Sequence, residues 1–292
     1  MKKVILCPNP YRDSQLTVAK QSKELLESLG FSTVVCLPFN REGYDDELGV
    51  PIRQLTQEIK SADLLIAFGG DGTILHLART VALHDVPVLG INLGSLGFMS
   101  ELELNELQRL RDLKSWDFTV ESRMMLDVTV IRDGRSVYHT IALNDAVISK
   151  GSIARVVRLS IFTEEGPLTR VTGDGIVIST PTGSTGYSMA AGGPIVEPTA
   201  QNLLLTPICP HSTRSSSYVL SPDHVITVET TDTNRKFVYL SSDGGKAFSL
   251  KNGDHVQVKH SQYTTKLVRL SKKSFCEILD KKMGMEAVKH EE

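Results

Sequence analysis

Cysteine is scarce and scattered in this sequence of 292 residues. The four cysteines, Cys7, Cys36, Cys209 and Cys276, never form a C-x-x-C pair, so neither a zinc site nor a disulfide framework is indicated. Isolated cysteines of this kind are typical of a reducing compartment, and we expect a cytoplasmic protein.

An excess of charge of one sign is also missing. Lys and Arg together number 32, and Asp and Glu together number 34, so the chain as a whole creates no basic field that would attract nucleic acid or an anionic membrane. We therefore expect neither of them as a partner. Any anionic ligand must be held by a local arrangement of charges and backbone groups.

Long apolar runs are absent as well, since no stretch approaches the ~20 residues of a membrane span. The N-terminal apolar run ends at Pro8, well short of the core of a signal peptide, and we interpret it as a first strand. With 40% hydrophobic residues, the chain is long enough for two domains that each have a core.

The motif GGDGT at 69–73 is the most informative stretch of the first third. The apolar run Leu64 to Phe68 stops at two glycines, and apolar residues then recur at helical spacing from Ile74, which predicts strand, tight turn and helix. Glycines in such a turn let a phosphate approach main-chain N–H groups. Because the Asp71 carboxylate would repel a phosphate, we expect Asp71 to act on a proton or on a metal.

Residues 1–115 alternate between strand and helix patterns. This alternation predicts an α/β domain with a parallel, Rossmann-like sheet, which binds ligands beyond the carboxyl ends of its strands. GGDGT follows one predicted strand, and a second glycine turn, NLGSLGF at 92–98, follows the next. We expect the two turns to line one crevice.

The pattern changes from Trp116 onwards. Runs rich in Val, Ile, Thr and Tyr appear between Gly and Asp turns, among them a hairpin turn at Asp133-Gly134, and they predict a mainly-β domain over residues 116–268. Residues 269–292 are charged with spaced apolar positions, which predicts a C-terminal helix and a frayed tail.

Two polar stretches interrupt this β pattern. Asn144 and Asp145 lie between apolar residues, which indicates either a polar ligand or a bulge or turn. The stretch TGDGIVISTPTGSTGYSMAAGGPIVEP at 172–198 combines hydroxyls, glycines and a tyrosine between a predicted buried strand and a helix-like segment. We interpret it as a nucleotide pocket rather than as a flexible polar loop.

Five stretches, taken in order, resemble the motifs of the bacterial NAD kinase family: GGDGTIL, LGSLGF, LNDAVI, the 172–198 stretch and SSDGG. GGDG alone is shared with diacylglycerol kinases, sphingosine kinases and phosphofructokinases, whereas the Asn-Asp pair followed by TPTGSTGY is specific. The resemblance implies transfer of a phosphoryl group from ATP, or in some members polyphosphate, to the 2′-hydroxyl of the adenosine ribose of NAD. It also implies a divalent cation such as Mg²⁺, small-molecule nucleotides as partners, NAD binding by the β domain, and a homodimer or homotetramer.

The resemblance implies roles position by position, with the metal ligands left unknown. Asp71 corresponds to the general base, Asn144 and Asp145 to the pair that holds ribose and adenine groups, and Asp174 to the aspartate at the nicotinamide end. The remaining positions are Gly70, Gly72 and Thr73 against phosphates, Phe98 against a base, His76 as a polar side chain one helical turn on, and Thr182, Thr185, Gly186, Tyr187 and Ser188 around the adenine.

The sequence departs from the family pattern at three positions. Gly186 replaces a common alanine, Gly245 replaces a glutamine found in many bacterial relatives, and Thr172 stands where arginine is frequent. The departure at Thr172 weakens an expected phosphate contact, for which Arg155 is a candidate substitute. The alternative for Arg155 is an ordinary exposed arginine on a strand.

Two other function classes remain open from the sequence. A lipid kinase of the GGDG class would need an apolar entrance, and the sequence has no amphipathic stretch or basic patch of the kind that binds membranes. A non-catalytic NAD(P) sensor would keep the pocket without the chemistry, and the intact Asp71 argues against it.

Overall fold

The computed structural model describes residues 1–39, 49–94, 97–151, 156–212, 215–230, 238–271 and 274–289. The chain divides into two compact units, Met1–Ser122 together with Thr265–Glu292, and Arg123–Thr264. The sequence boundaries lay at 115/116 and 268/269. The chain returns to the first unit earlier, because Leu267 pairs with Val88 of that unit's sheet.

The first unit is an α/β fold around a parallel sheet, which confirms the predicted fold class. Its strands follow the order β3-β2-β1-β4-β5, and all these pairs are parallel. β4 lies between β1 and β5 and is buried along its whole length, as its unbroken apolar run predicts. The elements are β1 Lys3–Pro8, α1 Thr17–Ser28, β2 Ser32–Cys36, β3 Ile52–Arg53, α2 Leu55–Glu58, β4 Leu64–Gly69, α3 Asp71–Leu83, β5 Val88–Asn92 and β6 Leu102–Glu103.

One local prediction in this unit was wrong. The spacing of Ile52, Leu55 and Ile59 predicts a short helix, but Ile52 pairs with Val35 and lies in β3. The sequence could not reveal β3, because a strand of two residues leaves no periodicity; the pairing with β2 places Ile52 in a strand. The helix that the spacing of Leu104, Leu107, Leu110 and Leu113 predicts is present as a 3₁₀ helix, Leu104–Ser115, which begins with a capping box formed by Glu103 and Glu106.

The second unit is built from antiparallel strands in two groups. One group follows the order β11-β10-β15-β18 and the other β14-β13-β12-β9-β16-β17. Their apolar residues form one core cluster. The elements are β7 Thr119–Arg132, β8 Arg135–Ala142, β9 Asp145–Lys150, β10 Val157–Thr163, β11 Gly166–Gly173, β12 Gly175–Ser179, α4 Tyr187–Ala190, β13 Leu203–Ile208, β14 Tyr218–Leu220, β15 Ile226–Thr230, β16 Val238–Ser242, β17 Phe248–Leu250 and β18 His255–Arg269.

The hairpin between β7 and β8 has the predicted turn. Asp133 and Gly134 both have positive φ, at 51° and 73°, as a tight two-residue hairpin turn requires. The residues from Val137 to Ile148 are rich in Val, Ile and Thr and predict one strand. The structure instead divides this run at Leu143 and Asn144, where β8 ends and β9 begins in the other sheet. The Asn-Asp pair therefore marks a change of sheet.

The C-terminal helix is present as α5, Phe275–Lys289, and belongs to the first unit. It starts at Phe275 because Ser274 and Glu277 form a reciprocal cap, in which each backbone N–H donates to the other's side chain. The preceding residues are held by Glu101, whose buried carboxylate accepts hydrogen bonds from the Leu270 and Ser271 backbone N–H groups. Among the described residues, no helix has the length and apolar character needed to cross a bilayer.

We predict that Leu126→Ala destabilises the second unit by roughly 2–5 kcal/mol, because it leaves a cavity in a fully buried position of the core. Thermal and urea unfolding of purified protein measure the effect. Val137→Ala, on the neighbouring strand β8 and 42% exposed, is the control. Equal stability of the two variants would contradict the assigned core.

Candidate functional site

The GGDGT turn joins β4 to α3 and leaves little room at its first glycine. A Cβ atom at Gly69 would lie 2.2 Å from Thr73 Oγ1, so no larger residue fits there. Thr73 is buried, and its hydroxyl accepts a hydrogen bond from Asn9 Nδ2 at 3.1 Å. Gly70 and Gly72 differ, since a Cβ at Gly70 would have a single neighbour at 3.8 Å and one at Gly72 none within 4 Å. These two glycines are the open side of the turn.

Asp71 is the first residue of α3 and is held by the second glycine turn. Its Oδ2 accepts a hydrogen bond from Phe98 N at 2.7 Å, and its Oδ1 accepts one from Met99 N at 3.0 Å. A Cβ at Gly97 would lie 2.1 Å from Asp71 Oδ1, so Gly97 must be glycine for the carboxylate to reach these N–H groups. The bonds fix the orientation of Asp71 and leave other lone pairs free to accept a proton.

The two turns line a cavity of about 320 Å³, as the sequence predicted for one crevice. Gly70, Asp71, Gly72 and Thr73 contribute to its wall. Among the described residues that line it, the charged side chains are those of Asp71, Arg12 and Lys282, so their net charge is positive and favours an anion. The other lining residues are Asn9, Asn92 and Gly97.

His76 and Phe98, two further predicted residues of the first unit, contact other parts of that unit. His76 is exposed, and its ring lies 4.3 Å from that of Phe39. Phe98 is 8% exposed, with the Phe275 ring at 6.1 Å and Lys282 Nζ at 4.1 Å from its centroid. In this conformation the Phe98 ring contacts residues of α5, and packing of that ring against a base stays a prediction.

In the second unit, Asp243 organises the Asn144-Asp145 loop. Its carboxylate accepts hydrogen bonds from three successive backbone N–H groups, those of Leu143 at 2.7 Å, Asn144 at 2.7 Å and Asp145 at 3.1 Å. Asp243 was not named among the site residues from the sequence. The sequence feature that could have indicated Asp243 is the motif SSDGG, because it contains an Asp-Gly turn. In the structure Asp243 adopts a φ of 51° in this turn.

Asp145 lies beside this carboxylate and is buried. Burial, with the nearby charge of Asp243, raises the pKa of Asp145 to about 7. Burial also raises the pKa of Asp243, to about 6, but the three N–H donors oppose that rise. Because those donors favour the ionised form of Asp243, Asp145 is the group of the pair that takes up a proton more readily.

Asn144 has an unsatisfied acceptor and contacts the hydroxyl-rich loop. Within the described residues, its buried Oδ1 has no hydrogen-bond partner. Its carbonyl accepts a hydrogen bond from Thr180 N at 2.9 Å, and a Cβ at Gly183 would lie 2.1 Å from the same carbonyl oxygen. An orphaned buried acceptor costs roughly 1–3 kcal/mol, so this atom marks a place for a donor group of a ligand.

The loop itself forms a 3₁₀ turn, Thr182–Thr185, followed by α4. Thr182 Oγ1 accepts a hydrogen bond at 3.2 Å from Nη1 of Arg123, a buried residue that sequence reasoning missed. Thr185 Oγ1 donates to the Thr182 carbonyl, 3.3 Å away. The loop is therefore preorganised by its own hydroxyls and by one buried guanidinium.

The last three residues of the predicted loop, Gly186, Tyr187 and Ser188, have different surroundings. A Cβ at Gly186 would lie 3.3 Å from the Gly183 carbonyl oxygen, so an alanine fits there tightly. Tyr187 is 44% exposed, and partial burial raises the pKa of its hydroxyl. Ser188 is fully buried and shares a hydrogen bond with Thr206 Oγ1 at 2.9 Å, so its hydroxyl is engaged within the protein.

The remaining predicted residues surround the β11–β12 connection. Asp174 forms an ion pair with Lys150, with 2.6 Å between Oδ1 and Nζ, and Lys150 was not expected from the sequence.

Thr172 is half-buried on β11, and its carbonyl accepts a hydrogen bond from His211 N. Gly245, the third departure from the family pattern, lies in a turn where its N–H donates to the Ser242 carbonyl. Arg155 lies outside the described residues.

No group of three or more His, Cys, Asp or Glu side chains that could hold a metal ion occurs in the part of the chain that the structure describes. Of the described residues that line the first-unit cavity, Asp71 alone carries a carboxylate. A dication there would need oxygen ligands from a bound substrate.

A glycine turn with a fixed carboxylate beside a positively charged cavity is typical of a phosphoryl-transfer site. In the second unit, the buried acceptor of Asn144 beside a hydroxyl-rich loop is typical of a nucleotide-binding site. These features define a nucleotide kinase. Comparisons with known proteins specify which kinase. Residues 4–113 match the ATP-NAD kinase N-terminal domain, and residues 143–270 match the ATP-NAD kinase C-terminal domain. The chain belongs to the NAD kinase family, and it is an enzyme that phosphorylates NAD.

Individual relatives agree over almost the whole chain. The NAD kinase of Natranaerobius thermophilus is 38% identical, with 97% of this chain and 98% of the relative covered. That of Symbiobacterium thermophilum is 40% identical, with coverage of 97% and 99%. Among solved structures, yeast NADH kinase complexed with NADH matches with a TM-score of 0.82 at 28% identity, covering 97% of this chain and 88% of that chain. An NAD kinase from Archaeoglobus fulgidus shares the fold, with a TM-score of 0.72 at 22% identity and coverage of 96% and 99%.

Gly97→Ala is predicted to abolish most NADP formation while the protein stays folded. The added methyl group would overlap Asp71 Oδ1 and displace either the carboxylate or the turn that holds it. A steady-state assay of kcat together with a circular dichroism spectrum measures both effects. Ser100→Ala, two residues beyond that turn, is the control, because it removes a buried hydroxyl that forms no hydrogen bond among the described residues. A fully active Gly97→Ala enzyme would contradict the observed packing.

Asp145→Asn is predicted to stabilise the protein relative to wild type more at pH 8 than at pH 5. The folded-state pKa of Asp145, about 7, lies above its unfolded value of ~3.9. The native state therefore binds the additional proton, and stability decreases as pH rises from ~4 through about 7. The amide cannot ionise, so the variant lacks this loss. Thermal unfolding of variant and wild type at both pH values measures the difference in stability. Asp223→Asn, at an exposed position, is the control. An Asp145→Asn variant that is no more stable than wild type at pH 8 would contradict the prediction.

Proposed function

We propose that this enzyme transfers the terminal phosphoryl group of ATP, or of polyphosphate as an alternative donor, to the 2′-hydroxyl of the adenosine ribose of NAD, giving NADP. The observation that carries the proposal is Asp71, an oriented carboxylate at a helix N-terminus inside a cavity with two cations. The matched ATP-NAD kinase domains and the yeast NADH kinase complexed with NADH support the choice of substrates.

Asp71 acts as general base in this proposal. A ribose hydroxyl is a poor nucleophile, and phosphoryl transfer leaves a protein mainly the tasks of positioning and charge stabilisation. Two lone pairs of Asp71 accept the Phe98 and Met99 N–H groups, and the remaining ones are available for the proton of the attacking hydroxyl. Gly70, Gly72 and Thr73 provide the open backbone of the turn for phosphate oxygens.

The residues of the second unit bind NAD in this proposal. The unpaired Oδ1 of Asn144 accepts an amino N–H such as that of adenine, and a protonated Asp145 beside it donates a hydrogen bond to a ribose or adenine acceptor. The loop of Thr182, Thr185, Gly186, Tyr187 and Ser188 encloses the adenine, with Tyr187 as its exposed aromatic face. Asp174 binds the nicotinamide end, and its ion pair with Lys150 sets its orientation.

A divalent cation such as Mg²⁺ is part of the proposal. Mg²⁺ keeps several waters and is bound by one or two carboxylates together with substrate phosphates. The first-unit cavity fits this chemistry, since Asp71 supplies a hard carboxylate there and leaves the remaining ligand positions to substrate phosphates and water. When bound, the ion neutralises phosphate charge. From the family resemblance we also expect a homodimer or homotetramer in the cytoplasm.

The test compares wild type with Asp71→Asn in an assay of NADP formed from NAD, ATP and Mg²⁺. Loss of the base should lower kcat by about 10²–10⁴-fold, whereas the dissociation constant of NAD should change little. Asp85→Asn, near the other end of α3 and paired with Lys266, is the matched control.

Each outcome separates one alternative. Wild type that makes no NADP with ATP or polyphosphate would contradict the proposed function, and tight NADP binding without turnover would favour a sensor. Phosphorylation of diacylglycerol in place of NAD would favour the lipid kinase. Turnover unchanged in Asp71→Asn would remove Asp71 from the role of base.

A further inference from the structure

The C-terminal helix α5 brings a lysine to the cavity that contains Asp71. Lys282 lines this cavity together with the first turn of α3, and it is half-buried. We propose that Lys282 binds the phosphate chain of the phosphoryl donor. The inference rests on the proposed function, because it assigns a further residue to the donor site of that reaction.

The charge of Lys282 has no anionic partner among the residues that the structure describes. Among the described residues no carboxylate lies within ion-pair distance of its Nζ, whose recorded contact is the Phe98 ring at 4.1 Å. The adjacent Lys281 instead pairs with Glu103 Oε1 at 3.3 Å. A half-buried ammonium with only a ring beneath it gains from an anion that enters the cavity.

The other charged groups of the cavity point to the same ligand. Arg12 adds a second cation, and Asp71 forms an ion pair with neither of the two within the described ranges. The start of α3, a helix of 13 residues, adds the partial positive charge of its N-terminus. A ligand with several negative charges, such as a triphosphate, matches three positive features around one space.

Phe98 acquires a role in this arrangement. Its buried ring lies under both Phe275 and Lys282 of α5, so it is the platform on which the helix places the ammonium. The Ser274–Glu277 cap fixes where α5 begins, and with it the position of Lys282 two turns later. The donor site is thus completed by a segment far from GGDGT in sequence.

The experiment compares Lys282→Ala, Lys282→Met and Lys282→Arg with Lys281→Ala as matched control. We expect KM for ATP to rise by roughly tenfold or more in the Ala and Met variants, the effect of losing one charge-assisted phosphate contact. KM for NAD should stay near the wild-type value, and the Arg variant should recover much of the ATP affinity. Methionine keeps an unbranched apolar side chain that can pack on Phe98, whereas alanine does not. Comparison of Lys282→Met with Lys282→Ala therefore separates the loss of charge from the loss of packing.

A second measurement does not depend on turnover. Inorganic tripolyphosphate is titrated calorimetrically into each full-length variant, and we expect its affinity to fall for Lys282→Met but not for Lys281→Ala. Equal affinities in these two variants, or a lower KM for ATP in Lys282→Ala, would overturn the proposal, the latter because the side chain would then obstruct the site. Wild type that binds tripolyphosphate through Lys282 yet makes no NADP would contradict only the proposed function.

Discussion

A carboxylate held by backbone N–H groups is the interaction on which the first unit's site depends. Asp71 follows β4, and the turn that holds it follows β5, the neighbouring parallel strand. Parallel neighbours end at the same edge of a sheet, so one glycine turn presents the carboxylate and the other presents its donors. Gly97 is required because any side chain would occupy the position of the carboxylate. The orientation of Asp71 is therefore a property of the sheet rather than of one loop.

In the second unit, too, a carboxylate accepts hydrogen bonds from backbone N–H groups, but here it holds a loop in place. Asp243 accepts three N–H groups from the loop where the chain leaves β8 for β9, and it thereby fixes the backbone of Asn144 and Asp145. Its charge and the burial of the site raise the pKa of Asp145 to about 7. Asp243 is thus engaged with the backbone, and Asp145 is the acid of the pair that takes up a proton more readily. Two adjacent acids with different proton affinities can offer a hydrogen-bond acceptor and a donor side by side.

The charge of the chain is balanced overall and uneven locally. Nearly equal numbers of acids and bases excluded a general basic field. The cavity nevertheless collects Arg12 and Lys282 around one carboxylate that is engaged with the backbone. A cavity with this charge attracts an anion over a short range, within about the 8–10 Å over which salt leaves charges unscreened. Composition alone cannot reveal such a site, because it averages over the surface.

The sequence by itself determined the α/β and mainly-β division, the strand-turn-helix at GGDGT, the Asp133-Gly134 hairpin and the family, because periodicity, glycine turns and ordered motifs are local properties. Only the tertiary structure decided that Gly97 supports Asp71, that Asp243 clamps Asn144, and that Lys282 enters the cavity. These pairs are separated by tens to hundreds of residues, and a contact between them depends on strand order and on where the chain returns. No spacing rule within the sequence encodes that geometry.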